Sequence, residues 1–209
     1  VSTLHKTTNT SKSVPPVDAV VLLGVAGTGK SSVAAHLARR TGWPVIETEE
    51  EAQRALGTTL SQAFVNRPNE AEKATERAAQ DVLDRLVRDT GPAIVVLTPS
   101  AAGQEATLGR LSRLKDRGAL IVALDAPTDL LARRNGLTAA LPASLGTPRA
   151  WFRAQHERLR NRYALVHPLW IDTQDLSSDV AAATIFEALG DVEGMPRSSS
   201  KLDLPPDTD

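Results

Sequence analysis

Short apolar, β-branched runs alternate along the chain with longer stretches in which apolar residues return every three or four positions. That alternation predicts an α/β protein, a parallel sheet covered by helices on both faces. Strands are expected at Ala19–Leu23, Pro44–Glu47, Ala93–Leu97, Ala119–Asp125 and Leu169–Asp172. The first, third and fourth are apolar nearly throughout, as strands buried on both faces are, and should be central. Helices are expected at Ser31–Arg40, Glu50–Leu56, Thr59–Val65, Glu70–Arg88, Ala106–Arg117, Pro127–Arg134, Ala150–Leu165 and Asp179–Leu189. Gly42, Gly57, Gly91, Gly118 and Gly190 stand where helices commonly close. In the helix from Glu70, the stripe Ala71, Ala74, Ala78, Val82 and Leu86 should be buried and the charged remainder solvated.

The expected architecture is a three-layer domain over residues 18–190 with a five-stranded parallel sheet. Residues 1–17 are polar and Ser/Thr-rich, and residues 191–209 offer almost nothing to bury, so both are expected to be disordered. The stretch NGLTAALPASLGTPR, residues 135–149, has no clear period and is expected to be a mobile loop, a lid over the site described below.

Composition narrows the classes. With 24 basic and 25 acidic residues the formal net charge is −1, which gives no footprint for nucleic acid or for an anionic membrane. The absence of cysteine excludes a disulfide scaffold, a thiolate metal site and a cysteine nucleophile, and it fits a reducing cytoplasm. No apolar run approaches the roughly 18–20 residues that cross a bilayer, and the N-terminus lacks the apolar core of a signal peptide. A cytoplasmic monomer is the expectation.

Candidate chemistry begins at Gly24-Val25-Ala26-Gly27-Thr28-Gly29-Lys30-Ser31, which satisfies G-x-x-x-x-G-K-[ST] between a strand pattern and a helix pattern. Glycines let backbone N–H groups close around an anion, and the following helix adds the positive end of its dipole. Gly24, Gly27, Thr28, Gly29, Lys30, Ser31 and Ser32 are thus expected to hold the phosphates of ATP. Lys30 would bridge the β- and γ-phosphates, and the Ser31 hydroxyl would hold Mg²⁺.

After the second strand, PVIETEEEAQRALGTTLSQAF contains Gly57, Thr59, Leu60, Ala63 and Phe64 in the order G-x-[ST]-[IL]-x-x-[IA]-F. Further on come Arg133-Arg134-Asn135-Gly136, and then Tyr163 followed nine residues later by Asp172-Thr173. Together with the P-loop, these blocks resemble shikimate kinase over roughly residues 18–190. The resemblance implies a three-layer P-loop NTPase fold with a lid, and ATP-dependent phosphorylation of a hydroxyl on a small molecule. Carried over residue by residue, it puts Arg133 and Arg134 on the adenine side. Glu47 would act on Mg²⁺ through water, and Glu49 would accept the hydrogen bond and the proton of the attacking hydroxyl. The alternative for both acids is a solvated pair at a helix N-terminus, where the dipole favours them.

At the acceptor positions the chain departs from the family. Phe-Arg-x-x-Glu becomes Glu72-Lys73-Ala74-Thr75-Glu76, so Lys73 would contact the substrate with a point charge instead of a planar fork. A glycine triplet becomes Thr98-Pro99-Ser100, the lid Arg-Pro becomes Leu141-Pro142, and an arginine four residues before the closing tyrosine becomes Leu159. These changes imply an altered acceptor, a small hydroxylated compound with acids still among the candidates. The alternative reading is an ATP-binding protein with weak or no catalysis in a regulatory or interaction role; gluconate kinase has a similar P-loop, but the Gly57–Phe64 block argues for the resemblance to shikimate kinase instead.

The stretch RAQHERLRNRY, residues 153–163, reads either as a phosphate grip or as a solvated helix face. Arg153, beside the lid, is the candidate for the arginine that steadies the transferring phosphate. His5, His36, His156 and His167 show no metal-ligand spacing and no carboxylate pattern nearby, and Trp43, Trp151 and Trp170 read as packing residues.

Overall fold

The computed structural model describes residues 18–88, 91–137 and 148–191. The expected leader, the tail from residue 192 and most of the expected lid, Leu141 and Pro142 included, lie outside the described residues. Five strands, β1 (Ala19–Leu23), β2 (Val45–Glu47), β3 (Ala93–Val96), β4 (Leu120–Asp125) and β5 (Leu169–Asp172), form one parallel sheet in the order β2-β3-β1-β4-β5. The register sets Val21 beside Val95 and Ile121, so the three apolar strands are the central ones.

Nine helices are described: α1 (Lys30–Thr41), α2 (Thr48–Leu56), α3 (Leu60–Asn66), α4 (Pro68–Arg88), α5 (Pro99–Ala102), α6 (Glu105–Asp116), α7 (Thr128–Arg134), α8 (Pro148–Ala164) and α9 (Ser178–Asp191). Eight match the expected helices to within about two residues at each end. The exception is α5, a single turn that the sequence period is too short to show. Gly42 and Gly57 close α1 and α2 in the left-handed conformation. The expected closure at Gly190 is corrected: α9 continues through it to Asp191, and Leu189 stays buried.

Side-chain alternation along each strand divides the core between two layers. Val21, Leu23, Val95, Leu97, Ile121 and Ala123 pack against α4, α6 and α8. Val20, Leu22, Ile94, Val96, Val122 and Leu124 pack against α1 and α9. Within α4 the stripe Ala71, Ala78, Val82 and Leu86 is buried as expected, while Ala74 is half-buried. A bidentate pair from Arg110 Nε and Nη2 to the two Asp84 carboxylate oxygens, at 2.9 and 3.0 Å, ties α6 to α4. That pairing holds the Asp84 carboxyl below its usual range.

Candidate active site

All the strands point the same way, so their C-terminal ends share one edge of the sheet, where ligands of such folds bind. β1 runs into the phosphate loop, β2 ends at Glu47, and β3 leads through Thr98 into α5. Two of these ends are pinned together by Thr48, whose hydroxyl donates to Val96 O at 3.1 Å and accepts from Thr98 N at 2.9 Å.

The loop at 24–29 needs its glycines. Gly24 has φ 145°, and a Cβ there would lie 2.6 Å from the Leu124 carbonyl oxygen and 2.7 Å from Thr28 Oγ1. At Gly27 (φ 84°), a Cβ would come within 2.7 Å of Asn135 Nδ2. Both positions therefore exclude a side chain on conformational and steric grounds. The Thr28 hydroxyl folds inward to Val25 O at 2.9 Å. Lys30 Nζ donates to Gly24 O at 2.8 Å and Val25 O at 3.3 Å, so the ammonium bends back over its own loop. Burial lowers the pKa of this lysine from an ordinary 10.5 to about 8, with Glu47 and Glu49 acting in the opposite direction.

Glu47 is affected in the complementary sense. Burial raises its pKa, while a hydrogen bond from the Ser31 hydroxyl and the charge of Lys30 lower it. Lys30, Ser31 and Glu47 are thus brought together, with Glu49 close enough for its charge to act on Lys30. Ser32 and Glu49 are exposed beside them. Among the described residues no group of three or more His, Cys, Asp or Glu could hold a metal ion. A hydroxyl beside a carboxylate is instead an oxygen-only donor set, which suits Mg²⁺ held in part by phosphate and water.

The nucleotide side is closed by α7. Arg134 donates to Gly27 O and to Thr173 O, both at 3.2 Å, and Asn135 Nδ2 donates to Ala26 O at 2.9 Å. A recess of about 240 Å³ lies between Gly27–Gly29, Arg134, Thr173 and the start of α9. Arg134 reaches the loop, whereas Arg133 is exposed at the end of α7. Arg153 lies 3.6 Å from Asp129 on α7, both side chains well exposed. Lys73 lines a groove of about 630 Å³ between α2 and α4, shared with Glu51, Glu70, Arg77 and Arg85.

Sequence reasoning missed one constellation. His156 Nε2 is 2.7 Å from Asp125 Oδ1, and its Nδ1 is 2.9 Å from Thr128 Oγ1. Arg160 Nε donates to the other Asp125 oxygen at 2.8 Å, with its guanidinium 5.4 Å from the centre of the Trp170 ring. The expectation of no carboxylate near the histidines is therefore corrected for His156, and also for His36, which lies 3.3 Å from Asp179. Trp43 packs against the core, but Trp151 is 65 % exposed and Trp170 serves as a platform for a cation. A signal was present for His156: with Phe152, Leu159 and Tyr163 it falls on one stripe of α8, so its ring had to be buried and partnered.

A parallel sheet opening into a glycine loop, with a half-buried lysine and a serine–carboxylate pair, defines a P-loop small-molecule kinase dependent on ATP. A family model for shikimate kinase matches residues 26–190. The shikimate kinase of Thermobifida fusca is 32% identical over 169 residues, 81% of this chain and 93% of that protein. The chain belongs to the shikimate kinase family. Among solved structures, shikimate kinase from Acinetobacter baumannii in complex with shikimate superposes with a TM-score of 0.67 at 21% identity, covering 86% of this chain and 95% of that one. A gluconokinase from Sinorhizobium meliloti superposes with a TM-score of 0.54 at 20% identity, covering 86% and 99%. At these identities the two structures show the shared fold. No helix among the described residues is long and apolar enough to cross a membrane.

Proposed function

We propose that this kinase transfers the γ-phosphoryl group of ATP to a hydroxyl of a small molecule other than shikimate. The observation that carries the reading is the remodelled wall opposite the phosphate loop. Where a bare glycine backbone is expected, Thr98-Pro99-Ser100 enters α5, and Pro99 removes an N–H donor. Leu159 stands where the resemblance expects an arginine. It is half-buried and packs into the core. Its Cδ2 lies only 2.6 Å from where a Cβ on Gly103 would be. Arg162 Nε donates to Gly103 O, and Tyr163 Oη donates to Pro99 O at 3.3 Å. That position has thus become a packing contact between α8 and α5.

On the donor side, Lys30 would leave the loop carbonyls for the phosphates, and the loop amides would surround them. Ser31 directly and Glu47 through water would hold Mg²⁺, which supplies charge neutralisation on the phosphate oxygens. Glu49 would orient and deprotonate the acceptor hydroxyl. Arg153 would steady the transferring group; its exposed pairing with Asp129 contributes at most ~1 kcal/mol and is easily given up. The second reading, an ATP-binding protein without catalysis, draws on the same loss of an arginine at Leu159. The intact grouping of Lys30, Ser31 and Glu47 favours catalysis.

The test is ADP release from Mg-ATP with a panel of hydroxylated acceptors, shikimate among them, with Lys30→Ala as control. Stimulation by a compound other than shikimate, lost in the variant, is expected. Stimulation by shikimate above all others would overturn the altered acceptor, and absence of turnover with retained ATP binding would favour the second reading.

A further inference from the structure

Among the described residues, two buried side-chain hydroxyls have no hydrogen-bond partner, those of Thr98 and Thr107. Thr98 is the one at the C-terminal edge of the sheet, where β3 leads into α5. It is only 5 % exposed, and its hydroxyl does not cap the helix. A buried hydroxyl without a partner has given up its bonds to water and gained none, so native proteins rarely keep one without a use.

Strand alternation places this hydroxyl. Val96 packs in the layer of α1 and α9, and Leu97 in the opposite layer. Leu97 N still donates to Leu22 O at 3.1 Å, so the extended backbone continues past the end of β3. Thr98 is itself extended, with φ −63° and ψ 138°, and its side chain therefore returns to the α1 layer. Glu47 pairs with Val96 and shares its face, whereas Ile46 before it packs on the other layer. Thr98 and Glu47 are thus the α1-facing residues at the ends of neighbouring strands, and Glu47 accepts a hydrogen bond from Ser31 at the start of α1. Thr48, bonded to Val96 O and to Thr98 N, fixes the two strand ends against each other. The hydroxyl accordingly lies on the side where Ser31 and Glu47 would hold Mg²⁺, and at a position where the resemblance to shikimate kinase expects a glycine.

We propose that Thr98 is a positioning residue for the metal-bound nucleotide, its hydroxyl holding a water of the Mg²⁺ shell beside Glu47. This rests on the reading of the protein as a kinase that binds Mg-ATP. Mg²⁺ gives up its waters reluctantly and keeps several of them where few protein groups bind it directly, so most oxygen donors around it act through water. A hydroxyl can accept from such a water, and, being neutral, it adds no charge to repel the phosphates as a further carboxylate would.

The experiment measures ATP binding by titration calorimetry, with Mg²⁺ and with EDTA, for the wild type, Thr98→Val and Thr98→Ser. Thermal unfolding of each is recorded without nucleotide. Thr98→Val keeps the branched shape and removes the hydroxyl. It should weaken Mg-ATP binding roughly 3- to 10-fold, the scale of one hydrogen bond, and leave metal-free ATP binding unchanged. Its Tm without nucleotide should equal or exceed that of the wild type, because a partnerless buried hydroxyl contributes nothing to folding. Thr98→Ser, which keeps the hydroxyl, should restore most of the Mg-ATP affinity. A lower Tm in Thr98→Val would reveal a partner within the protein, and equal losses with Mg²⁺ and with EDTA would put the hydroxyl on the phosphates themselves. Either result overturns the inference, as does Mg-ATP binding that valine leaves untouched. Wild-type protein that binds ATP no more tightly with Mg²⁺ than with EDTA overturns the Mg-ATP kinase reading along with it.

Discussion

The two ends of the reaction are built by different means. At the donor end almost every contact is local or made by backbone: six loop residues, the lysine that follows them and a serine one position later share a single strand–loop–helix unit. At the proposed acceptor end the walls would come from β2, α2, α5 and α8, elements brought together only by packing on the sheet. Backbone chemistry repeats whatever the side chains nearby, so the donor end tolerates little change. The proposed acceptor wall is made of side chains, and substituting them would redirect the site without dismantling it. Leu159, a packing residue in an arginine's place, is the clearest instance.

That contrast can be broken most severely at Lys30. Lys30→Ala should lower kcat roughly 10²- to 10³-fold, the scale for removing one preorganised electrostatic contact, in an assay of ADP release with an acceptor that the wild type accepts. Circular dichroism should show the fold unchanged. Next comes Gly24→Ala, whose Cβ meets backbone at 2.6 Å. It should cost ~1–3 kcal/mol of stability and weaken ATP binding, readable by thermal unfolding with and without nucleotide.

His156 ties α8 to the end of β4 and the start of α7. His156→Ala strands Asp125 Oδ1 and the Thr128 hydroxyl and should cost ~1–3 kcal/mol, or a fall in Tm of about 2–4 °C per kcal/mol for a chain of this size. His156→Gln should recover part of the loss.

A smaller effect follows from pH. The folded pKa of Lys30 is about 8 against an ordinary 10.5. Below pH 8 the lysine is charged in both states. Between the two values the unfolded chain holds the additional proton, so stability of the nucleotide-free protein should rise with pH across that window. Function moves the other way: kcat/KM for ATP should fall as pH rises through 8, by up to about tenfold per unit. A profile flat to pH 10 would show that Lys30 does not titrate as its burial implies. The smallest effect is expected at Lys73. Lys73→Ala should change the acceptor KM by less than about fivefold, the ceiling for an exposed ionic contact; a larger change would return Lys73 to the acceptor site.

The fold was legible because its signals are periodic. Five strands and eight helices followed from apolar spacing, and the P-loop from a contiguous motif whose glycines each take a positive φ. The acceptor side was less legible. Lys73, expected at the substrate, lines a groove between α2 and α4, and no motif along the chain shows which elements face it. The turn α5 is shorter than one period of any pattern. His156 stands 31 residues from Asp125 and 28 from Thr128, and nothing along the chain records that the end of β4 meets the middle of α8.

By itself the sequence determined the layer architecture, the strand-to-loop-to-helix phosphate site and the loss of arginine at position 159, since each is a property of neighbouring residues and their spacing. Tertiary structure alone decided how the arginines of α8 are partnered. Arg160 and Arg162 belong to the stretch 153–163 that reads along the chain as a phosphate grip or a solvated face, and packing of α8 against β4 and α5 sends one to Asp125 and the other to a backbone carbonyl. The reason is physical: a charge acts through the distance and solvent around it, and both are set by elements far apart in the chain.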